Sequence, residues 1–262
     1  MAILRSRRWL TGARTLLVPL DHGLTMGPID GIAQLRETVP RLLECGNIDG
    51  LILHKGTLRS LAPLFADHPQ VAALLHISAS VEAGIDAQRK VAVSSVEDAL
   101  RLGADGVSVH VNLGHADESA MLAHLGEAAT ACQRWGMPLL AMVYYRGETP
   151  PGDATKTAAL CVRIAWECGA DAVKTDYPGD AAGFQEITGS VEIPVLVAGG
   201  SLSPDAPALF QSLHEALQSG AAGLAIGRNV FQRENVRAFA RALSLLVHDR
   251  ASVHDALATL EA

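Results

Sequence analysis

Lys174 stands inside the apolar run "ADAVKTDY", with strand-forming residues on both sides. A lysine is rarely buried without a partner, and an ammonium in an apolar setting is costly. The chain carries four lysines against seventeen arginines, so this position uses a scarce residue. One reading puts Lys174 on a solvent-facing edge strand. The other keeps its amine neutral, because burial lowers a lysine pKa. A neutral amine attacks a ketone and loses water to give a protonated Schiff base. That cation then accepts the electrons left by a departing proton or carbon. Lys55, in "LHKG", is the rival lysine, at a strand exit where a solvated or phosphate-facing role is ordinary.

Chemistry of this kind needs proton carriers. Asp21 ends the apolar run "TLLVPL" and precedes Gly23 and Gly27 in "LDHGLTMGP". A helix N-cap is one role for it, although the glycine-rich stretch separates it from the next helical pattern. A carboxylate acting as acid or base is the other. Tyr144 closes "LLAMVYY" and supplies a phenol for dehydration, with core packing as its alternative; strand alternation turns Tyr145 to the opposite face. "VAGGS" and "AIGRN" offer Gly199, Gly200, Ser201, Gly227 and Arg228 as a phosphate cradle of loop amides and one guanidinium. Glycines in such loops also occur for steric reasons alone. His22, His54, His76 and His110 fall on or just after apolar runs, and convergence around Zn2+ is the metal-dependent alternative to the lysine.

The elements that must position these groups show a weak repeat. "ECGNIDGLILH", "RLGADGVSVH", "ECGADAVKTD" and "QSGAAGLAIG" each end a helical pattern at a glycine and then enter an apolar run. The glycines are Gly46, Gly103, Gly169 and Gly220, and their spacing leaves room for one further strand between copies. "TLLVPL", "AALLHI", "LLAMVYY" and "PVLVAGG" supply those strands. Eight near-continuous apolar strands alternating with helices predict a parallel sheet covered on both faces. At 262 residues this is the size of an α/β (β/α)8 TIM barrel. A doubly wound open sheet is the alternative, but no GxGxxG follows the first strand. No linker or composition break divides the chain, so residues 1–262 read as a single barrel domain. In such barrels catalytic groups sit at the carboxyl ends of the strands, where the polar residues above fall.

Composition agrees with a globular enzyme: 49% hydrophobic, 19% charged and 4% aromatic residues exclude a disordered or fibrous class. A net charge of −7 gives no general attraction to nucleic acid or anionic membranes, so an anionic ligand must be held by local groups. Cys45, Cys132, Cys161 and Cys168 lie in helical patterns without CxxC or zinc spacing, as thiols of a reducing cytoplasm do. No apolar run approaches the length of a membrane span. "MAILRSRRWLTGARTLL" is Arg-rich and acid-poor, but it runs directly into a core strand and reads as a mature N-terminus.

The stretches "VPLDHGLTMGPIDGI", "LHKG", "VSVHVNLG", "MVYYRG", "ADAVKTDYPGD", "LVAGGS" and "GLAIGRNVFQ" resemble, in order, the class I Schiff-base aldolase family of archaeal type. That family includes small fructose-bisphosphate aldolases and 2-amino-3,7-dideoxy-threo-hept-6-ulosonate synthases. The resemblance implies a Schiff-base lysine at Lys174, a proton acceptor at Asp21 and a proton donor at Tyr144. It implies no metal or other cofactor. It places phosphate near Gly199, Gly200, Gly227 and Arg228. Apart from the resemblance, His22, Lys55, Arg146 and Ser201 are substrate-binding candidates by their place at strand ends, with Arg146 a candidate contact for an acceptor carboxylate. "LTMGP" after DHG is closer to the synthases, which join aspartate 4-semialdehyde to three carbons from dihydroxyacetone phosphate or a deoxyketohexose phosphate. Tyr145 departs from the Tyr-Pro-Arg-Gly usual there. The implied partners are a phosphorylated sugar or triose and a small aldehyde, in a cytoplasmic homo-oligomer of up to ten chains. A fructose-bisphosphate aldolase, a thiolase-like acyl transferase and a non-catalytic sugar-phosphate-binding barrel remain alternatives; the last would need neither Lys174 nor Tyr144.

Overall fold

The computed structural model describes residues 8–10, 13–45 and 48–260. Its strands are β1 (Thr15–Pro19), β2 (Gly50–Leu53), β3 (Ala72–His76), β4 (Ser78–Ala79), β5 (Val91–Ala92), β6 (Gly106–Leu113), β7 (Leu139–Tyr145), β8 (Ala172–Thr175), β9 (Val195–Ala198) and β10 (Gly223–Ala225). Eight of them close a parallel barrel in the order β1-β10-β9-β8-β7-β6-β3-β2. Closure settles the choice against an open sheet: the fold is a (β/α)8 TIM barrel. The other two, β4 and β5, form a small antiparallel pair in the segment that follows β3. No helix among the described residues is long and apolar enough to cross a membrane.

Strand alternation divides the core into two layers. Leu140, Met142 and Tyr144 on β7 point into the barrel with Leu17, Ile52, Leu74 and Leu196. Val143 and its odd-numbered neighbours pack outward under the helices. Lys174 is in register with Met142 and Leu196, both inward-facing, so it points into the barrel. Trp9 closes the floor. Its fully buried indole packs in the inner layer and donates to the Asp105 carbonyl at 3.3 Å. The carboxyl end of the barrel is left as the open one.

The repeat read from the sequence has a physical basis at that floor. Gly103, Gly169 and Gly220 adopt φ of +72°, +88° and +99°, the left-handed values that end each helix; Gly46 lies outside the described residues. The aspartate after each of the first three glycines then clamps the preceding strand. Asp49 accepts from the Leu16 N–H at 2.6 Å, Asp105 from Ala73 at 3.0 Å and Asp171 from Leu139 at 2.8 Å. Their own N–H groups donate back to the carbonyls of the same three residues. In the fourth copy Ala222 keeps only the backbone half, bonded to Val195. Removing the Asp105 carboxylate would strand the buried Ala73 N–H and the Arg8 guanidinium, which it binds at 2.9 Å. Losing a hydrogen bond to a charged group costs about 2–3 kcal/mol. For Asp105→Ala this predicts a Tm lower by roughly 5–10 °C in calorimetry, with the activity of the folded fraction unchanged.

Candidate active site

At the open end lies a cavity of about 290 Å³, its wall built from the carboxyl ends of the strands and the loops beyond them. Asp21, His22, Tyr144, Arg146, Lys174, Gly199, Gly200, Gly227 and Arg228 all line it. The structure thus brings together most of the residues that the sequence singled out.

Lys174 is buried with 9% exposure, and its amine lies 6.0 Å from the centre of the Tyr144 ring. Among the described residues no side chain hydrogen-bonds that amine. Burial lowers its pKa, opposed by the charges of Asp21 and Asp176 and reinforced by Arg228 and Arg146. The edge-strand reading fails because β8 sits inside a closed barrel, where no strand is an edge.

Asp21 sits where a cap would be but makes no side-chain capping bond. A short helix, His22–Met26, begins immediately after it, where the sequence suggested an open loop. Asp21 Oδ1 is buried without a hydrogen-bond partner among the described residues. His22 Nδ1 approaches Asp21 at 3.5 Å and His76 Nε2 at 3.6 Å. Burial alone would raise the Asp21 pKa, but the positive charge that His76, His22, Lys174 and His54 carry when protonated holds it well below the usual carboxylate range. The Tyr144 phenol moves the other way: burial pushes its pKa well above 10.0, so it keeps its proton. Arg146 stacks over the Tyr144 ring at 4.7 Å and donates to Asp176 at 3.3 Å. A buried amine thus has a charged acceptor and a protonated donor for neighbours.

The four histidines do not gather as metal ligands. His54 donates from Nδ1 to the His76 carbonyl, His76 pairs with Ser108 through Nδ1, and His110 donates from Nε2 to Asn112. Among the described residues the one group with metal-ligand spacing is Asp86, His115 and Asp117, outside this cavity. Burial keeps His22, His54, His76 and His110 neutral, with the pKa of His76 lowered to about 3. In the unfolded chain each takes a proton near 6.5, so stability is complete above that pH and falls below it. Each ring whose folded pKa lies below that of the unfolded chain adds to this loss as the pH falls. The expected result is a Tm that falls steeply between pH 6.5 and 5 but hardly changes from pH 7 to 8. A flat profile from pH 7 to 5 would show that these rings take up protons as readily in the fold as in the unfolded chain.

Gly227 shows why glycine is needed just after β10. A Cβ there would lie 2.8 Å from the Pro19 carbonyl and 2.7 Å from His22. Arg228 follows at the start of the short helix Arg228–Phe231, and its Nε is buried without a partner among the described residues. Asn229, fully buried, ties the two loops together by donating to the Gly199 and Ser201 carbonyls at 2.8 and 2.7 Å. The sequence places Asn229 at the end of "AIGRN", but its role in tying two loops together belongs to the closed barrel.

Two candidates are corrected. Lys55 does not line the cavity: the helix Lys55–Asp67 starts directly after β2, and its amine pairs with Asp98 at 3.1 Å on the exposed face. Ser201 is exposed and off the cavity wall, its carbonyl taken by Asn229. Tyr145 faces outward as alternation predicts, donating to the Thr149 carbonyl at 2.5 Å. It shapes a neighbouring cavity of about 350 Å³ with Tyr177 and Cys161. Cys132 and Cys161 are core thiols, whereas Cys45 and Cys168 are only half-buried and follow helix ends.

Residues 77–95 supply what the sequence reading missed. A connection of this length in a compact barrel commonly carries function, and here Glu82, Gln88 and Lys90 from it line the cavity. Only its length and polarity signalled this.

A closed eight-stranded barrel with a buried amine at its carboxyl rim defines a (β/α)8 enzyme of aldolase type. Residues 15–233 match the DeoC/LacD family aldolase, and the chain belongs to that class I aldolase family. It is 43% identical over 239 residues to 2-amino-4,5-dihydroxy-6-oxo-7-(phosphonooxy)heptanoate synthase of Streptomyces griseus, covering 90% of this chain and 85% of the relative. It is 38% identical over 256 residues to 2-amino-3,7-dideoxy-D-threo-hept-6-ulosonate synthase of Halobacterium salinarum, covering 97% and 94%. An archaeal fructose-1,6-bisphosphate aldolase, solved with its catalytic lysine bound to the carbinolamine intermediate, superposes with a TM-score of 0.82 at 28% identity, covering 93% and 97%.

Proposed function

We propose that this enzyme joins a phosphorylated three-carbon donor to L-aspartate 4-semialdehyde through a Schiff base on Lys174, without a metal. The observation that carries the reading is the buried Lys174 amine, free of any hydrogen-bonding side chain among the described residues and placed with Asp21 and Tyr144 around one cavity. The neutral amine adds to the donor ketone, whose oxygen takes up a proton. Loss of water, with Tyr144 donating the proton, leaves a protonated Schiff base. Asp21 then removes a proton from the adjacent carbon, or a carbon–carbon bond of a ketose phosphate breaks, and the electron pair passes into an enamine. The enamine carbon attacks the aldehyde, whose oxygen is protonated. Water hydrolyses the iminium and frees Lys174.

The substrates are supported by chemical logic. A 2-amino-4,5-dihydroxy-6-oxo-7-(phosphonooxy)heptanoate carries its 4-hydroxyl two carbons from the 6-ketone. Breaking that aldol bond gives aspartate 4-semialdehyde and dihydroxyacetone phosphate. A panel of donors and aldehydes followed by product mass spectrometry tests the reading. Product from dihydroxyacetone phosphate or a deoxyketohexose phosphate with aspartate 4-semialdehyde is expected. Turnover with glyceraldehyde 3-phosphate alone would favour a fructose-bisphosphate aldolase.

The phosphate is assigned to Gly199, Gly200, Gly227 and Arg228, whose Nε is without a partner among the described residues. Losing a charge-assisted contact costs about 1.5–3 kcal/mol, or roughly ten- to a hundredfold. Arg228→Ala should raise KM by that factor for phosphorylated donors and little for unphosphorylated analogues. Equal weakening of both would make Arg228 structural.

A further inference from the structure

Lys90 reaches the cavity from the segment between β3 and the helix Val96–Leu102. That segment is fastened at several points. The Glu82 N–H donates to the Thr25 carbonyl at 2.8 Å, and Asn112 donates to the Gln88 carbonyl at 2.7 Å. At its outer edge His115 pairs with Asp86 at 2.9 Å and Arg89 with Asp117 at 3.2 Å. The backbone that presents Lys90 is therefore anchored to the short helix after β1, to β6 and to the turn beyond it.

The amine of Lys90 is held by neutral groups only, donating to Ser80 Oγ at 2.5 Å and reaching the Ala87 carbonyl at 3.5 Å. Among the described residues no carboxylate lies within ion-pair distance of it. This contrasts with Lys55, whose partner Asp98 is in contact. Lys90 nevertheless feels the cavity: burial lowers its pKa, Asp21 raises it and Arg146 lowers it further. A half-buried ammonium that faces a cavity with no carboxylate in ion-pair contact among the described residues is an electrostatic deficit that an anionic ligand would fill.

Its place in the barrel says which ligand. In the closed order, β10 stands opposite β6 and β9 opposite β3. The cradle of Gly199, Gly227 and Arg228 follows β9 and β10, whereas Lys90 follows β3 and is fastened to β6. Lys174 on β8 lies between these two poles along the wall. A donor with its phosphate at Arg228 and its ketone at Lys174 leaves the Lys90 side to the incoming aldehyde.

We propose that Lys90 is the specificity-determining residue of the acceptor subsite, binding a carboxylate carried by the acceptor aldehyde. This rests on the Schiff-base reading above. A monoanion suits the place better than a phosphate, because the Glu82 carboxylate on the same segment repels a dianion. Arg146, which stacks over the Tyr144 ring and lines the same cavity, adds a second positive charge.

The test compares wild type, Lys90→Met and Lys90→Arg with four acceptors: aspartate 4-semialdehyde, succinic semialdehyde, glyceraldehyde 3-phosphate and neutral glycolaldehyde. Borohydride trapping of the donor is measured alongside. Lys90→Met should raise the acceptor KM about ten- to a hundredfold for the two carboxylate aldehydes. It should leave glycolaldehyde kinetics and donor trapping unchanged, and Lys90→Arg should restore part of the loss. An equal loss with glycolaldehyde would overturn the proposal and make Lys90 a brace for its own segment. A loss confined to glyceraldehyde 3-phosphate would overturn the carboxylate assignment. Failure of trapping in the wild type would remove the Schiff-base reading itself, which the donor assay alone detects.

Discussion

Lys174→Ala is expected to yield no borohydride-stable adduct and no carbon–carbon bond formation, in protein that remains folded. Wild type dialysed against EDTA should instead retain full activity and gain the reduced donor mass on the peptide that contains Lys174. Lys174→Arg should fail as completely as alanine, because a guanidinium stays charged and forms no imine. The pH dependence follows from the direction of the shift. With its pKa lowered by burial, the amine loses its proton below the ordinary 10.5. The wild-type trapping rate should therefore rise with pH and level off before that value. An adduct on Lys55, Lys90 or Lys156, activity in Lys174→Ala, or rate lost to EDTA and restored by Zn2+ would each remove the assignment.

The second large effect concerns the proton carriers. Asp21→Asn and Tyr144→Phe should each slow turnover by about a hundred- to ten-thousandfold, the usual contribution of a positioned acid or base. Both should still show an adduct on Lys174, since neither side chain holds the substrate covalently. The two variants then differ in a way that packing alone would not produce. The Asp21 charge raises the Lys174 pKa, so removing it lowers that pKa further. The pH midpoint of trapping should move to a more acid value in Asp21→Asn and stay nearly fixed in Tyr144→Phe. Equal midpoints in all three proteins would mean that Asp21 does not face the amine electrostatically. Loss of the adduct in Tyr144→Phe would place the phenol in the dehydration step so strongly that no iminium accumulates.

The local chemistry of the chain determined its strands and the polar residues at their ends. Apolar runs such as "LLAMVYY" and "ADAVKTDY" have one stable placement when helices alternate between them, and period-two alternation turns Tyr144 and Lys174 to the same interior. The glycine-led repeat was legible for the same reason, because a left-handed helix end and a clamping aspartate are set by residues three or fewer positions apart. Tertiary structure decided which cations share the cavity. Lys55 and Lys90 both follow interior strands, yet Lys55 is carried outward by a helix that starts at once, and Lys90 is carried inward by a segment that folds back onto β6. The partners that fix this, Asn112 for Gln88 and Asn229 for Gly199, come from other turns of the barrel. Such contacts exist only after the barrel closes, because their geometry belongs to the path of the loops and not to the spacing of neighbours along the chain.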